Sequence, residues 1–477
     1  MLFDDFHGQF LLSPSADAPV PGWPSWECGQ WRVSAHPGLP VNRIISGDGA
    51  HIGFALGHMI DESASLLRGD LKWPLSADPA QADSDIRSRL YHVDGRYVVA
   101  ILRPGSGRIY LDAAGTLAAV FCRRRHRVAS TPGLLVFDEH PNPVFARDPT
   151  AFPADQADQF FPAGLTCDPE IMRLLPNHHL DLDHWIVSRH FPDRPIDPFP
   201  ETDMADCIRR IHRAIRRQIE AAVKSHGRTY LTLTAGRDSR ILLACARDFM
   251  DRIECVSFHG DTLIDAKRID REIPALLAAR LGFRHTILET RGPVPPEATL
   301  AYHRRTGFVL NPAKARNFDL ACRRNLDMSA TWLSGHGGEV GRAVYWTKKP
   351  PPEGPLEPQV LLGRLALGRR KEFLGPLADW LADVPPGNSI LHLTLGYIEH
   401  RLGAWASAHL YGGAPFAMKL LPLCGHELFD IMLRLPPAYQ RRNAMTDDLI
   451  RFAWPELLCV PFNADPIPHP PEPPPHP

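Results

Sequence analysis

Between Arg228 and Glu289 the chain alternates β-branched apolar runs with helical ones: "RTYLTLT", "SRILLACARDFM", "IECVSFHG", "DREIPALLAARLG", "RHTILE". Strand–helix alternation of this kind closes only as a parallel sheet with helices on both faces, because each crossover must return the chain to the same edge direction. Asp270 stands as N-cap of the second helix and Gly282 as its C-cap. A further strand follows in "ATWLSGHGG" (Ala330 to Gly338), running into a glycine-rich turn. The remainder, to about Leu458, is helical in pattern. The fold class expected here is α/β, a parallel doubly wound sheet with a helical C-terminal part.

Upstream the character differs. "GAHIGFALGHMI", "GRYVVAILR", "GRIYLDAAG", "TLAAVFCR" and "GLLVFD" are short apolar or alternating runs separated by Gly, Pro and Asp. That spacing predicts an antiparallel sheet region. The proline-punctuated "FPDRPIDPFPETD" (191–203) reads as a linker. After it, Met204, Ile208, Ile211, Ile215, Ile219 and Val223 recur at spacings of three and four, one apolar helical stripe. No internal repeat is visible. Three segments are expected: a domain over 1–190, a second over 203–463, and a proline-rich, disordered tail over 464–477.

Composition excludes several function classes. With 53 basic and 54 acidic residues there is no net field to attract nucleic acid. No apolar run approaches the length of a membrane span. Nine scattered cysteines without a C-x-x-C motif suit reduced thiols in the cytoplasm and argue against a zinc ribbon or Cys-pair redox site. The opening "MLFDDFHGQF" lacks the basic start of a secretory signal.

The turn Thr234-Ala235-Gly236-Arg237-Asp238-Ser239 follows the first parallel strand, where open sheets bind ligands. Small residues at Ala235 and Gly236 admit an anion to the backbone N–H groups, and the next helix start adds its dipole. Thr234 and Ser239 supply hydroxyls. Asp238 repels phosphate directly, so its place beside such a cradle points to magnesium. Arg237 and Arg240 suit either phosphate or plain surface solvation. Neither the Walker loop nor a G-x-G-x-x-G fingerprint occurs at this strand.

"TAGRDS" resembles the S-G-G-x-D-S pyrophosphate loop of the N-type ATP pyrophosphatases. "SFHGDTLIDAKRIDREIPALLAARLGFRH" (257–285), "SGHGGEV" (334–340), "LRLPPAYQ" and "LIRFAWPEL" are similar to segments of the asparagine synthetase family, in the same order. "DGRYVVAI", "GRIYLDAAGTLAAVF" and "GLTCDPEIMRLLPNHHLDLD" are similar to that family's glutaminase domain. The resemblance spans about Gly95 to Asn463. It implies an N-terminal Ntn-hydrolase-like α+β domain and a magnesium- and ATP-dependent ligase. Such an enzyme adenylates a carboxylate, releases pyrophosphate and forms an amide. It implies Thr234, Ala235, Gly236, Arg237 and Ser239 around pyrophosphate; Ser257, Phe258, Ser334 and Gly335 around adenosine; and Asp238 with Glu339 on Mg2+. His336 falls on a position that is acidic in asparagine synthetases and tyrosine in β-lactam synthetases; it is expected either as base for the attacking amine or as a loop-bonded imidazole.

Two departures shape the expectation. The family's glutaminase needs a cysteine after the initiator Met; residue 2 is Leu, and Cys28 reads as a buried structural thiol. The nitrogen is therefore expected from ammonia or an amine, as in the β-lactam synthetases and lasso-peptide macrolactam synthetases. The family's late lysine, which steadies the transition state, has no counterpart in "LLCVPFNAD" (457–465); Lys348, Lys349, Arg441 and Arg442 are the substitutes considered. The substrate is a small-molecule or peptide carboxylate with an amine, a partner protein delivering the peptide being compatible. The alternative is a catalytically impaired ATP-binding scaffold of the same family. Another pyrophosphatase branch, tRNA thiolation, would require a Cys pair and a basic face.

Overall fold

The computed structural model describes residues 2–137, 160–225, 227–260, 265–290, 296–307, 312–347, 354–368 and 370–463. Lys348, Lys349 and the tail over 464–477 lie outside them.

Residues 10–189 form two sheets. One has six antiparallel strands, running spatially through Met172–Arg173, Val120–Cys122, Arg127–Ala129, Phe10–Pro14, Trp31–Ala35 and Ser25–Cys28. The other has seven: Ile186–Arg189, His178–Asp181, Arg108–Leu111, Asp94–Ile101, His51–Ile60, Val41–Ile45 and Asp70–Lys72, the last pair parallel. Alternation along the strands divides the side chains between two layers. Phe54, Leu56, Val98 and Ala100 meet Phe10, Leu12 and Val33 of the facing sheet. Ala55, Val99 and Ile101 face the other way, against Ile86 and Leu90 of the helix Pro79–Tyr91. The expected antiparallel region is therefore present, with one correction. Over its described residues "GLLVFD" is not a strand: Pro132–Leu135 is a helical turn, its proline preset for the first helical position. A side chain at Gly133 would overlap the Arg304 carbonyl.

The second half carries five parallel strands: β1 (Thr229–Thr232), β2 (Ile253–His259), β3 (His285–Glu289), β4 (Thr331–Leu333) and β5 (Met418–Leu420). Their spatial order is β3-β2-β1-β4-β5. Three helices, α1 (Met204–Ser225), α2 (Arg237–Cys245) and α3 (Asp265–Leu281), pack on the face that shows Leu231, Cys255, Leu333 and Leu420. All six stripe residues of α1 are buried there. Helix α4 is Pro296–Thr306, and α5 (Pro312–Asn325) covers the opposite face through Ala321 and Cys322, against Tyr230 and Val256. Chain order reverses between β1 and β4, which opens a crevice at their carboxyl ends. Asp270 is not a helix N-cap: α3 begins at Asp265 and Asp270 lies within it. Gly282 does terminate α3, at φ +75°, with its N–H on Ala278 O.

The halves are joined by buried ion pairs. Asp94 of the seven-stranded sheet accepts from Arg217 of α1 at 2.7 Å. Arg189 and Asn177 bind Glu399, in a helix running through Ser389–Gly396, Tyr397–Ala406 and Ser407–Gly412 whose middle segment is wound as a π-helix.

Candidate functional site

The first loop leaves β1 at Thr232 and enters α2 with Gly236 as N-cap. Gly236 has no side chain to cap the helix, so the first turn keeps its N–H groups for an anion. The loop hydroxyls bind one another. Thr234 N–H donates to Ser239 Oγ (3.1 Å), the Thr234 and Ser239 hydroxyls share a bond (3.0 Å), and Gly236 N–H donates to Thr234 Oγ1 (3.1 Å). Ala235 N–H is held by Asp270 Oδ1 at 2.9 Å, the role that Asp270 plays from inside α3. Arg237 pairs with Asp447 (3.2 Å) and lies over the Phe462 ring. Arg240 is fully buried and donates to the carbonyls of Leu457, Val460 and Pro461, pinning the C-terminal segment.

The second loop leaves β4 and passes directly over the start of α2. A Cβ at Gly335 would sit 2.9 Å from Ser239 N, and one at Gly338 would overlap Asp238 Oδ1. Gly337 takes φ +108°, open to glycine alone at little cost. These glycines let the loops touch, and so bring two carboxylates together. Asp238 and Glu339 share a hydrogen bond. Glu339 also accepts from Gly337 N–H (3.1 Å) and from the Tyr397 hydroxyl. Arg342, three residues on, grips Asp238 with both Nε (3.2 Å to Oδ1) and Nη2 (2.6 Å to Oδ2), and lies 3.8 Å from Glu339 Oε1. The pair holds a proton more readily than separate carboxylates. Burial first, then the charge of Glu339, raises Asp238 against the pull of Arg342; at Glu339 burial is outweighed by Arg342 and His336, which hold it low.

Beside the loops lies a cavity of about 360 Å³. Alternation along β2 decides which predicted residues reach it. Val256 and Phe258 line it, with Trp332 stacked on Phe416 at 4.8 Å. The Ser257 side chain points to the other face, donating to Leu233 O (2.7 Å) and bonding His285 Nε2 (2.8 Å), so its hydroxyl is not among the cavity walls. Thr234 and Ser334 line the cavity, as does His336, whose Nδ1 is 2.9 Å from Ser334 Oγ and whose ring abuts Trp405. His409 and Lys419 close the remaining side. Lys419 donates to the carbonyls of Leu410 and Ala414; burial, then Arg96 and Arg305, holds its amine well below the usual range despite Asp319.

The donor set fits magnesium. Mg2+ takes one or two carboxylates and completes its shell with water and substrate phosphates, and Asp238 with Glu339 supplies two carboxylates at an open helix start. Among the described residues no group of three or more His, Cys, Asp or Glu could hold a metal ion.

Sequence reading missed Arg342, Tyr397, Trp405, His409 and Lys419. Only Arg342 had a local signal, its i+3 spacing from Glu339. Of the cations considered, Arg441 and Arg442 are exposed at the end of the short helix Pro437–Arg441.

No protein-family model matches the sequence, and no curated protein does. Among solved structures the chain is similar to a U34-tRNA thiolase from Methanococcus maripaludis that carries a 4Fe-4S cluster. The identity is 13% and the TM-score 0.22, over 40% of this chain and 77% of that one. It is also similar to a glutamine-dependent NAD+ synthetase from Acinetobacter baumannii in complex with adenosine diphosphate. There the identity is 15% and the TM-score 0.21, over 46% of this chain and 51% of that one. Overlaps at those TM-scores leave the chemistry to be read from the site's own geometry.

Proposed function

We propose that the protein is an asparagine-synthetase-type, AMP-forming carbon–nitrogen ligase that uses ATP with Mg2+. One observation carries the reading: the Thr234–Ser239 and Ser334–Glu339 loops converge at the switch point of a parallel sheet, joining an open helix start, a carboxylate pair and an aromatic cavity.

In this reading the adenine lies against Phe258 and Trp332. Thr234, Ser239 and the first N–H groups of α2 bind the pyrophosphate end. Asp238 and Glu339 hold Mg2+, which neutralises triphosphate charge when bound. A substrate carboxylate oxygen attacks the α-phosphorus and the bond to the β,γ-pyrophosphate breaks. An amine then attacks the acyl carbon, AMP leaves with the electron pair, and His336 takes the proton of the attacking nitrogen.

The N-terminal half is read as a glutaminase-like Ntn scaffold without glutaminase activity. Its cysteines support this: Cys28, Cys122 and Cys167 are all buried, and burial pushes the Cys28 thiol up, away from a nucleophile's range. The amine or ammonia is taken directly, and a peptide carboxylate delivered by a partner protein fits the same scheme. All nine cysteines are free thiols, in keeping with a cytoplasmic setting. No helix among the described residues is long and apolar enough to cross a membrane. A scaffold that binds ATP without turnover is the second reading, favoured by Arg342 occupying Asp238.

Incubation with magnesium, α-labelled ATP and a panel of carboxylates and amines separates the two. Substrate-dependent AMP and pyrophosphate, lost in Asp238→Ala, supports the ligase; ATP binding without AMP across the panel supports the scaffold. His336→Ala should retain pyrophosphate release and lose about 10²-fold or more in amide formation; an unchanged amide rate removes the base role.

A further inference from the structure

We propose that Arg342 is the phosphate-binding cation of this site, held on Asp238 until a divalent ion takes the carboxylate pair. The inference rests on the ATP reading above and assigns the cation that "LLCVPFNAD" lacks.

Arg342 donates to both oxygens of Asp238, and its side chain is only 17% exposed. Its Nη1 donates to no described residue. Asp238 is the second residue of α2, so the guanidinium already sits at the open helix start where an anion binds. A divalent ion held by Asp238 and Glu339 would draw charge from the oxygens that now accept from Arg342 and would weaken their hold on its guanidinium. The freed fork of N–H donors suits phosphate oxygens, a match of planar geometry as well as charge. Charge follows the same course: a divalent ion that displaces the shared proton adds positive charge while Arg342 remains, so the filled site suits a triphosphate better than the empty one. Arg342 thus neutralises Asp238 in the empty site, and becomes useful to the anion only once the metal is in place.

The test uses the full chain and two probes: Mn2+ alone, followed by its spin-resonance signal, and magnesium pyrophosphate, followed by calorimetry. Arg342→Gln should bind Mn2+ about tenfold tighter, since a competitor is gone, and magnesium pyrophosphate at least about tenfold more weakly. Arg342→Lys should recover part of the pyrophosphate affinity. Loss of both affinities in folded Arg342→Gln, or unchanged pyrophosphate binding, overturns the proposal. Should Arg342→Gln fail to fold, Arg342→Lys decides: tighter Mn2+ with intermediate pyrophosphate affinity supports it, and unchanged values for both refute it. Failure of the wild-type chain to bind magnesium pyrophosphate defeats the ATP reading and the phosphate role together, whereas failure of the variants alone defeats only the role of Arg342.

Discussion

Arg189 with Glu399 and Arg342 with Asp238 are the same chemical pair in two settings. Glu399 is fully buried and receives four donors: Arg189 Nη1 (2.6 Å) and Asn177 Nδ2 (2.9 Å) on one oxygen, Arg189 Nη2 (2.9 Å) and Trp380 Nε1 (2.6 Å) on the other. Burial there is outweighed by Arg189 and His178, so Glu399 stays ionised. Asp238 has one guanidinium, shared with a second carboxylate that pushes its affinity for protons up. A saturated carboxylate has no reason to exchange partners, and Glu399 fixes the two halves of the molecule together. A contested one exchanges readily, and Asp238 stands where a ligand enters.

Glu399→Ala should have the largest effect of the substitutions that test this contrast. It leaves the buried Arg189 guanidinium with only the half-exposed Asp383 as counter-charge and should cost about 3–5 kcal/mol in chemical denaturation; a loss below about 1 kcal/mol would mean that Glu399 is no clamp. Gly338→Ala acts at the other pair. Its methyl group overlaps Asp238 Oδ1, the loops must part, and the cost should be about 1–3 kcal/mol with loss of magnesium-dependent nucleotide binding; intact binding would show that the loops need not touch.

Acid should weaken the junction next. Burial lowers His400 to about 3 and, with help from His426, holds His190 well below its usual value. Both are neutral in the folded protein. The unfolded chain takes up protons first as pH falls below about 6.5, so stability is complete above that pH. It declines below it by about 1.4 kcal/mol per pH unit for each histidine, for His400 down to about pH 3. Denaturation curves at pH 7.5 and 5.5 read this directly, and curves that coincide would place a charged partner beside these rings. Asp383→Asn should matter least. Asp383 touches Arg189 Nε at 3.0 Å from a side chain 52% exposed, so its loss should cost less than about 1 kcal/mol in the same assay.

What could be read from sequence was what is decided locally. The three strands and two helices after Arg228 appear where periodicity puts them, as does the α1 stripe, because each buries one continuous face. Gly282 was legible because a helix stop is a property of one residue. Strand β5 was not: three residues inside the apolar "MKLLPL" have no period to measure. The face taken by Ser257 depends on which sheet side holds the cavity, and Asp270 was misread because its partner, Ala235 N–H, lies 35 residues away. Tyr397 reaches Glu339, and Lys419 the cavity, only through tertiary packing. "TAGRDS" and "SGHGGE" were visible as loops, but nothing local shows that their glycines exist to accommodate each other.

The π-wound segment Tyr397–Ala406 ties Glu399, the Tyr397 hydroxyl on Glu339, and Trp405 at the cavity into one rod. Such a rod is sensitive to counting. Each residue of a helix advances the side chains by about 100°, so the wide winding sets which way Ser407–Gly412 faces. Removing one codon from this stretch would keep every residue type near the site, yet turn His409 and Leu410 from the cavity wall. Insertions and deletions here should therefore be tolerated less well than substitutions, and homologues with a different count should recognise different substrates through an otherwise unchanged pair of loops.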